Sequence, residues 1–179
     1  MDTDINIRSA QSGDQFELAN THLNSWREAY RGLLPQNYLD ELPLTFRGRA
    51  KNWQQKINLS EKYIIQVAEN KNGIVGFACL QPARDNDMSE YAEVSAIYLL
   101  EKFKGTGVGF KLLTSGLKKI EQRGFKKAYC WVLEGNPTIK FYEKSGAKFS
   151  GKIKEDEIGG MKCNDLRYVW EDINLVIKA

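Results

Sequence analysis

The sequence predicts an α/β fold of the α+β type, in which helices flank a mixed sheet. Three features support this fold class: helical patterns fill residues 14–57, a meander of strands fills residues 63–100, and two strand–helix units and a closing pair of strands follow. The 179 residues show no internal repeat and no linker. We therefore expect residues 1–179 to form a single domain.

The first helix is predicted by apolar residues at helical spacing behind a capping residue. Asp14 is of a type that favours a helix N-terminus, and the apolar positions recur over residues 16–30. A second helical stretch is predicted over residues 35–42 and 44–57. Further helices are expected over residues 108–123 and 136–144, each followed by a glycine that can end it.

Strands are predicted where β-branched and aromatic residues cluster between turn signals. They are expected over residues 5–8, 63–68, 74–80, 93–100, 127–133, 148–152 and 165–171. The sequence Asn-Lys-Asn-Gly at residues 70–73 marks the turn of a hairpin.

The composition is that of an ordinary globular protein. Hydrophobic residues make up 42% of the chain, which is too many for a disordered protein, and the net charge is only +3. Basic residues form no dense run, so we expect no nucleic-acid partner. Single lysines near the middle of the chain could instead serve one small anionic ligand; they are Lys102, Lys104, Lys111, Lys118 and Lys119.

The location of the protein is predicted from its first residues and its cysteines. The chain starts with acidic residues and has no apolar segment of a signal peptide or membrane span, so we expect no membrane association. Cys79, Cys130 and Cys163 are odd in number and far apart. This pattern favours buried free thiols in a reducing compartment over disulfides or a zinc site, and hence the cytoplasm.

A glycine-rich turn between a strand and an amphipathic helix is the most informative feature. Residues 104–109 read Lys-Gly-Thr-Gly-Val-Gly. Glycines at alternate positions let the backbone approach a ligand, and the helix start adds unpaired N–H groups and a positive dipole end. The turn therefore predicts an anion cradle suited to a pyrophosphate. It fits neither a Walker loop nor a dinucleotide fingerprint, because Phe110 stands where each needs another residue.

This turn resembles the acyl-CoA-binding motif of the GNAT (Gcn5-related N-acetyltransferase) superfamily, Gln/Arg-x-x-Gly-x-Gly/Ala. Lys104 takes the Gln/Arg place, and Gly107 and Gly109 take the small-residue places. Residues 136–147 resemble the family's Asn-x-x-Ala-x-x-Phe-Tyr-x-x-x-Gly-Phe element, and residues 24–32 its first-helix signature in many small-molecule members. The resemblance covers nearly the whole chain. It implies a mixed, mostly antiparallel sheet that is splayed at the acyl-CoA site.

The resemblance implies transfer of an acetyl group from acetyl-CoA to a primary amine by direct attack in a ternary complex. At Lys104 the backbone N–H is expected to do the binding, and a bulge near residues 97–99 is expected to present an N–H to the oxyanion. The residues expected to bind acetyl-CoA are Ile97, Tyr98, Leu99, Lys104, Gly105, Thr106, Gly107, Val108, Gly109, Asn136 and Tyr142.

The reaction needs a base and an acid, because an alkyl amine is protonated near neutral pH and the leaving thiolate takes up a proton. Tyr142, which follows the apolar Phe141, is the expected acid. Glu93 is the expected base, acting through water, because family members often have a glutamate where this strand begins. Glu28 is its chief rival, and an enzyme that selects neutral amine without a side-chain base is the third option.

The acceptor pocket is expected to involve the first helix, through Trp26, Glu28 and Tyr30, although helical spacing also suits a core role for its aromatic residues. His22, the only histidine, is expected to be structural, and no cluster of metal ligands is visible, so no metal is expected. The acceptor stays open among a polyamine, an aminoglycoside-like drug, an amino acid derivative and a protein N-terminus, with a small molecule favoured.

Two other classes of protein compete with the enzyme. A non-catalytic acyl-CoA-binding sensor or regulatory module would keep the cradle and lose turnover, but Tyr142 and Glu93 are both present. An RNA- or ribosome-associated protein is not supported by the modest charge. The expected partners are thus acetyl-CoA and an amine, and whether the chain forms a homodimer is left open.

Overall fold

The computed structural model describes residues 4–179, so most of the acidic start that predicts no signal peptide lies outside the described residues. The strands are β1 (Asn6–Ser9), β2 (Ile64–Asn70), β3 (Gly73–Pro82), β4 (Tyr91–Leu99), β5 (Lys127–Leu133), β6 (Lys148–Ile158) and β7 (Met161–Trp170). The helices are α1 (Gln15–Ala29), α2 (Gln36–Glu41), α3 (Phe46–Asn58), α4 (Val108–Gln122), α5 (Ile139–Lys144) and α6 (Ile173–Ile177).

The strands form one sheet in the order β1-β2-β3-β4-β5-β7-β6. Every neighbouring pair is antiparallel except β4 and β5, which are parallel. The predicted fold class, a mixed and mostly antiparallel sheet flanked by helices, is confirmed. The closing hairpin enters the sheet through its second strand, so β7 lies against β5 and β6 becomes the edge.

Helices cover both faces of the sheet because side chains alternate between the faces along β2 and β3. Ile64, Ala68 and Ala78 belong to the core with α4, whose buried stripe includes Leu112, Leu113 and Leu117. The alternate positions of the same strands pack against α1 and α3; they are Ile65, Val67, Phe77 and Cys79. The layered packing fixes α4, and with it the glycine-rich turn, against the middle of the sheet.

Asp14 takes the predicted N-cap position of α1, but its side chain does not cap the helix. Its carboxylate accepts hydrogen bonds from the Arg8 guanidinium at 2.6 Å and from the backbone N–H of Gln11 at 2.8 Å. The stronger ion-pair partner on β1 has taken the place of the helix N–H groups. Asp14 therefore ties β1 to the start of α1.

The last two strands are longer than the sequence predicts, and α6 was not predicted. The hairpin turns at Gly159 and Gly160, which both have positive φ. Almost all of β6 is exposed, so neither of its faces needs apolar residues. Residues 153–157 therefore lack the alternation of apolar and polar residues that would have indicated a longer strand.

The cysteines are free thiols, as the sequence predicts. Cys79 and Cys130 are fully buried, whereas Cys163 is partly exposed, so the prediction of burial is wrong for Cys163. No helix within residues 4–179 has both the length and the apolar character needed to cross a membrane.

Candidate functional site

A V-shaped opening separates β4 from β5. The two strands pair only from Tyr91–Lys127 to Glu93–Tyr129, whereas β4 stays paired with β3 as far as Leu99. From Val94 onward, the backbone of β4 therefore has no strand partner on the β5 side. Such an edge can pair with an extended ligand that carries amide groups.

The β4 strand contains a bulge at Ser95. Cys79 pairs with Ala96 and Leu80 pairs with Val94, which leaves Ser95 as the extra residue; its hydroxyl donates to the carbonyl of Cys79 at 3.0 Å. The bulge expected near residues 97–99 is absent there, because the pairing of these residues with β3 is regular. After the bulge, Ala96 and Tyr98 pack towards α1 and α3, and Ile97 and Leu99 pack towards α4.

The glycine-rich turn presents a row of free N–H groups at the open end of the V. Gly105 and Gly107 have φ of +75° and +83°, a conformation that glycine adopts without strain, and Gly107 is the N-cap of α4. Within residues 4–179, the backbone N–H groups from Gly105 to Phe110 have no hydrogen-bond acceptor. Together with the positive end of α4, they have the arrangement that the predicted anion cradle requires.

Lys104 differs from the prediction that its backbone N–H binds the ligand. This N–H donates to the carbonyl of Glu101 at 3.0 Å, because the residues before the turn form a 3-10 helix. Its ammonium also pairs with the Glu101 carboxylate, at 2.5 Å. Lys104 therefore shapes the turn, and its backbone is not free for a phosphate in this structure.

The start of α5 lies beside the cradle. The side-chain oxygen of Asn136 accepts from the N–H of Thr138 at 2.9 Å, which closes a turn and delays the helix to Ile139. The amide nitrogen of Asn136 has no partner within residues 4–179. Phe141 approaches Gly109 so closely that a Cβ there would lie 3.5 Å from its ring. The second contact places the start of α4 against α5.

Tyr142 is buried at the base of the opening, and its hydroxyl lies beside the thiol of Cys130. Its ring packs edge-on against Trp170, with 5.7 Å between the ring centroids. Burial raises the pKa of Tyr142 well above its ordinary value, so the phenol stays protonated across the physiological range.

Two further tyrosines meet near the β4 edge. The hydroxyls of Tyr30 and Tyr98 lie 3.0 Å apart, so one donates to the other. Burial is the main cause that raises the pKa of both phenols. The sequence analysis assigned Tyr98 a backbone role only, and this side-chain contact joins α1 to β4.

Glu93 is buried and held by several donors. The Arg84 guanidinium donates to both carboxylate oxygens, at 2.7 and 2.5 Å, and the Gln81 amide donates at 3.1 Å. Burial alone would raise the pKa of Glu93, but these hydrogen bonds outweigh burial and hold the pKa below its ordinary value of 4.5. Glu93 is thus ionised at neutral pH, and it is not the solvated strand-end carboxylate that its sequence position also allowed.

A cavity of about 440 Å³ opens on the α1–α3 face of β4. It is lined by His22, Trp26, Arg49, Asn52, Trp53, Lys56, Tyr63, Gln81, Arg84, Ser95, Ala96 and Tyr98. It therefore contains the bulge, and two of its lining residues, Gln81 and Arg84, hold Glu93. No three His, Cys, Asp or Glu side chains in the described part of the chain are grouped so that they could hold a metal ion.

The three α1 residues expected in the acceptor pocket are separated by the structure. Trp26 lines the cavity. Tyr30 does not line it, but its hydroxyl is hydrogen-bonded to that of Tyr98, which does. Glu28 does not line it: its carboxylate accepts from the N–H of Glu101 at 2.8 Å and holds the connection between β4 and α4. Glu28 lines a separate groove with Asn24, Arg27 and Arg31, so its expected substrate-binding role and its rivalry with Glu93 stay predictions.

Three basic residues of the cavity were missed by the sequence analysis. Arg49 and Lys56 belong to α3, which has no family motif, and Arg84 belongs to the loop after β3. The spacing of Arg49 and Lys56, two turns apart on one helix face, was a signal that these cations point the same way. No local signal connects Arg84 to them.

Comparisons with known proteins agree with this architecture. The profile of the acetyltransferase (GNAT) family matches residues 23–147. The "uncharacterized N-acetyltransferase YuaI" of Bacillus subtilis is 30% identical over 172 residues, which cover 95% of each chain. The phosphinothricin N-acetyltransferase of Streptomyces viridochromogenes is 24% identical over 123 residues, which cover 66% of this chain and 67% of that enzyme.

The fold also matches solved structures. The PaiA N-acetyltransferase of Thermoplasma acidophilum, crystallised with coenzyme A, superimposes with a TM-score of 0.76 at 19% identity and covers 94% of this chain and 100% of its own. At this identity the likeness shows the fold, and the family profile and the B. subtilis relative carry the assignment. The chain belongs to the GNAT family of acetyltransferases and is an N-acetyltransferase that uses acetyl-CoA.

Proposed function

We propose that a primary amine of a small molecule attacks acetyl-CoA directly, in a ternary complex bound across β4. One observation carries this proposal: the unpaired edge of β4 leads, through one 3-10 turn, to the free N–H groups from Gly105 to Phe110. Coenzyme A has the two matching features, an arm with amide groups that can pair with a strand edge and a pyrophosphate that can accept from the N–H groups.

The proposed coenzyme site uses the backbone more than side chains. The edge from Ile97 to Leu99 would pair with the pantetheine arm, and Gly105 to Gly109 would hold the pyrophosphate. The unpartnered amide of Asn136 supports a further contact from the α5 side. Lys104, whose ammonium and backbone N–H both contact Glu101, would shape the turn rather than donate a backbone hydrogen bond to the coenzyme.

Direct attack is supported by the state of the thiol nearest to the opening. Cys130 lies beside Tyr142, and complete burial raises the pKa of its thiol far above the ordinary value. A thiol is a poor nucleophile compared with a thiolate, so Cys130 is not suited to take the acetyl group first. Tyr142 is proposed as the acid that protonates the departing thiolate, because its phenol keeps its proton and lies at the base of the V.

Glu93 is proposed to accept the amine proton through a water molecule. Its ionised carboxylate lies directly behind Gln81 and Arg84, which line the acceptor cavity. The basic residues of this cavity help the same step, since nearby positive charge disfavours the ammonium form of a bound amine. The cavity volume of about 440 Å³ suits a small molecule. Location in the cytoplasm remains a prediction from the sequence.

Replacement of Glu93 by glutamine should change how the rate depends on pH. In the wild type, the limb of kcat/KM set by Glu93 should lie below pH 4.5, because Arg84 holds the pKa of this carboxyl below that value. In Glu93→Gln, the rate at neutral pH should fall by about 10²-fold or less and should then rise with pH towards the pKa of the amine, near ~10. Amine-dependent thiol release measured across the pH range tests this.

Glu69→Gln is the matched control. Glu69 is also paired with an arginine, Arg8 at 2.6 Å, and its pKa is also lowered, but it lies on β2, away from the cavity. Its pH profile should match that of the wild type. Overlapping profiles for the wild type and Glu93→Gln would instead show that Glu93 is a structural ion-pair partner and that the enzyme selects neutral amine.

A further inference from the structure

The acceptor cavity carries positive charge that the protein does not neutralise. Arg49, Lys56 and Arg84 line it, whereas none of its lining residues is Asp or Glu. Arg84 is paired with Glu93, but within residues 4–179 neither Arg49 nor Lys56 forms an ion pair. Arg49 and Lys56 are half-buried, and half-buried cations without ion-pair partners favour the binding of an anion.

The partners of the two free cations are all neutral. Arg49 donates to the Thr45 hydroxyl at 3.0 Å and lies 3.2 Å from a ring nitrogen of His22, and Lys56 sits over the rings of Trp53 and Tyr63 at 5.2 and 5.3 Å. Burial and these two cations lower the pKa of His22 to about 3, so the imidazole is neutral and adds no positive charge of its own.

A buried donor in the same cavity also lacks an acceptor. The buried indole N–H of Trp26 forms no hydrogen bond of ordinary geometry in residues 4–179; it lies near the Tyr98 hydroxyl, where it opposes the rise in the pKa of that phenol. The Arg49 guanidinium lies 5.4 Å from the centre of the Trp26 ring, so the unsatisfied donor and the free cation share one part of the cavity. A ligand with negatively charged oxygens would satisfy both.

A second cavity has the opposite charge and a different position. It lies between the end of β5 and the β6–β7 hairpin and is lined by Glu134, Glu155, Asp156 and Glu157, among others. None of its lining residues comes from β4. The basic cavity contains Ser95, Ala96 and Tyr98 of β4. The strand proposed to hold the thioester therefore lines the basic cavity and not the acidic one. This favours an acidic acceptor over a polycationic one.

We propose that the acceptor is a compact amine that also carries an acidic group, a carboxylate or a phosphorus acid, bound by Arg49 and Lys56. This inference rests on the proposed function. The acidic group binds between the two cations with the indole N–H of Trp26, and the amine points to the β4 edge. The ammonium loses one proton through water to Glu93, and the neutral nitrogen then forms a bond to the acetyl carbon to give a tetrahedral intermediate. The carbon–sulfur bond breaks, the nitrogen loses its second proton to water, and the thiolate takes the proton of Tyr142, which water restores.

The test compares acids with their neutral and cationic counterparts. Initial rates of thiol release are measured with amino acids and aminophosphonates, with the matching amino acid amides, and with linear polyamines. A charge-assisted hydrogen bond contributes about 1.5–3 kcal/mol, so kcat/KM should be roughly 10- to 100-fold higher for the acids than for their amides. The relative rates of carboxylates and phosphonates then tell which acid is the natural one.

Lys56→Met and Lys62→Met form a matched pair of variants. Both ammonium groups lie over the Tyr63 ring, at 5.3 and 5.4 Å, but only Lys56 lines the cavity. Lys56→Met should raise KM for acidic amines about tenfold and leave amides nearly unchanged, whereas Lys62→Met should behave as the wild type. Arg49→Gln should give the same selective loss as Lys56→Met, and the affinity for coenzyme A reports whether each variant is folded.

Three results would overturn the inference. If amides or polyamines are acetylated with the same kcat/KM as the acids, the acceptor is not anionic, but the proposed function still stands. The same conclusion follows if Lys56→Met and Arg49→Gln each lower kcat/KM equally for acids and for amides. Absence of amine-dependent thiol release with every amine would instead contradict the proposed function, and the acceptor inference would fall with it.

Discussion

Gly107→Glu should reduce the affinity for coenzyme A by about 10²-fold or more. The new carboxylate would sit at the N-cap of α4, where it would accept from the free N–H groups of the cradle and repel the pyrophosphate. Several charge-assisted hydrogen bonds, each worth about 1.5–3 kcal/mol, would be lost together. Calorimetric titration with coenzyme A measures the effect.

Gly124→Glu separates the loss of the cradle from backbone strain. Gly124 follows the other end of α4, with φ of +93° against +83° for Gly107, and a Cβ at either position would meet no atom within 4 Å. The two substitutions therefore impose similar strain, but only one touches the cradle. Gly124→Glu should bind coenzyme A like the wild type. If Gly107→Glu binds coenzyme A with unchanged affinity, the coenzyme does not bind at this turn.

Tyr142→Phe should lower kcat by up to about 10²-fold and leave the affinity for acetyl-CoA nearly unchanged. The ring and its packing against Trp170 are kept, and only the hydroxyl proposed to protonate the thiolate is lost. Since the pKa of Tyr142 is raised well above its ordinary value, the wild-type phenol stays protonated up to alkaline pH, so the defect should be equally large at pH 6 and pH 9.

Tyr168→Phe is the control for this substitution. Tyr168 is as buried as Tyr142 and belongs to the same core, but its hydroxyl donates to Glu143 at 3.2 Å rather than pointing to Cys130. It should keep the wild-type kcat. A Tyr142→Phe variant that turns over at the wild-type rate would leave Tyr142 with a packing role only.

The parts of the site that depend on local sequence could be predicted. The cradle follows from glycines that need positive φ at the start of α4, and the hairpin between β2 and β3 follows from Asn-Lys-Asn-Gly. Both are decided within a few residues, so neighbouring side chains are enough to specify them.

The parts that depend on distant segments could not be predicted. The bulge lies at Ser95 because the register between β3 and β4 decides it, and Lys104 loses its free N–H to a 3-10 turn that has no clear sequence signal. The basic cavity needs α1, α3, β4 and the loop of Arg84 to meet. Its charge therefore becomes visible only when the tertiary structure brings these elements together.

The kinetic mechanism of the wild-type enzyme tests the central claim most directly. Initial rates of thiol release are measured while acetyl-CoA and an amine are varied together, and the N-acetylated product is identified by mass. Direct attack in a ternary complex predicts intersecting double-reciprocal lines and one acetylated amine for each thiol released. Parallel lines with an acetylated enzyme intermediate, or thiol release that does not depend on an amine, would contradict it.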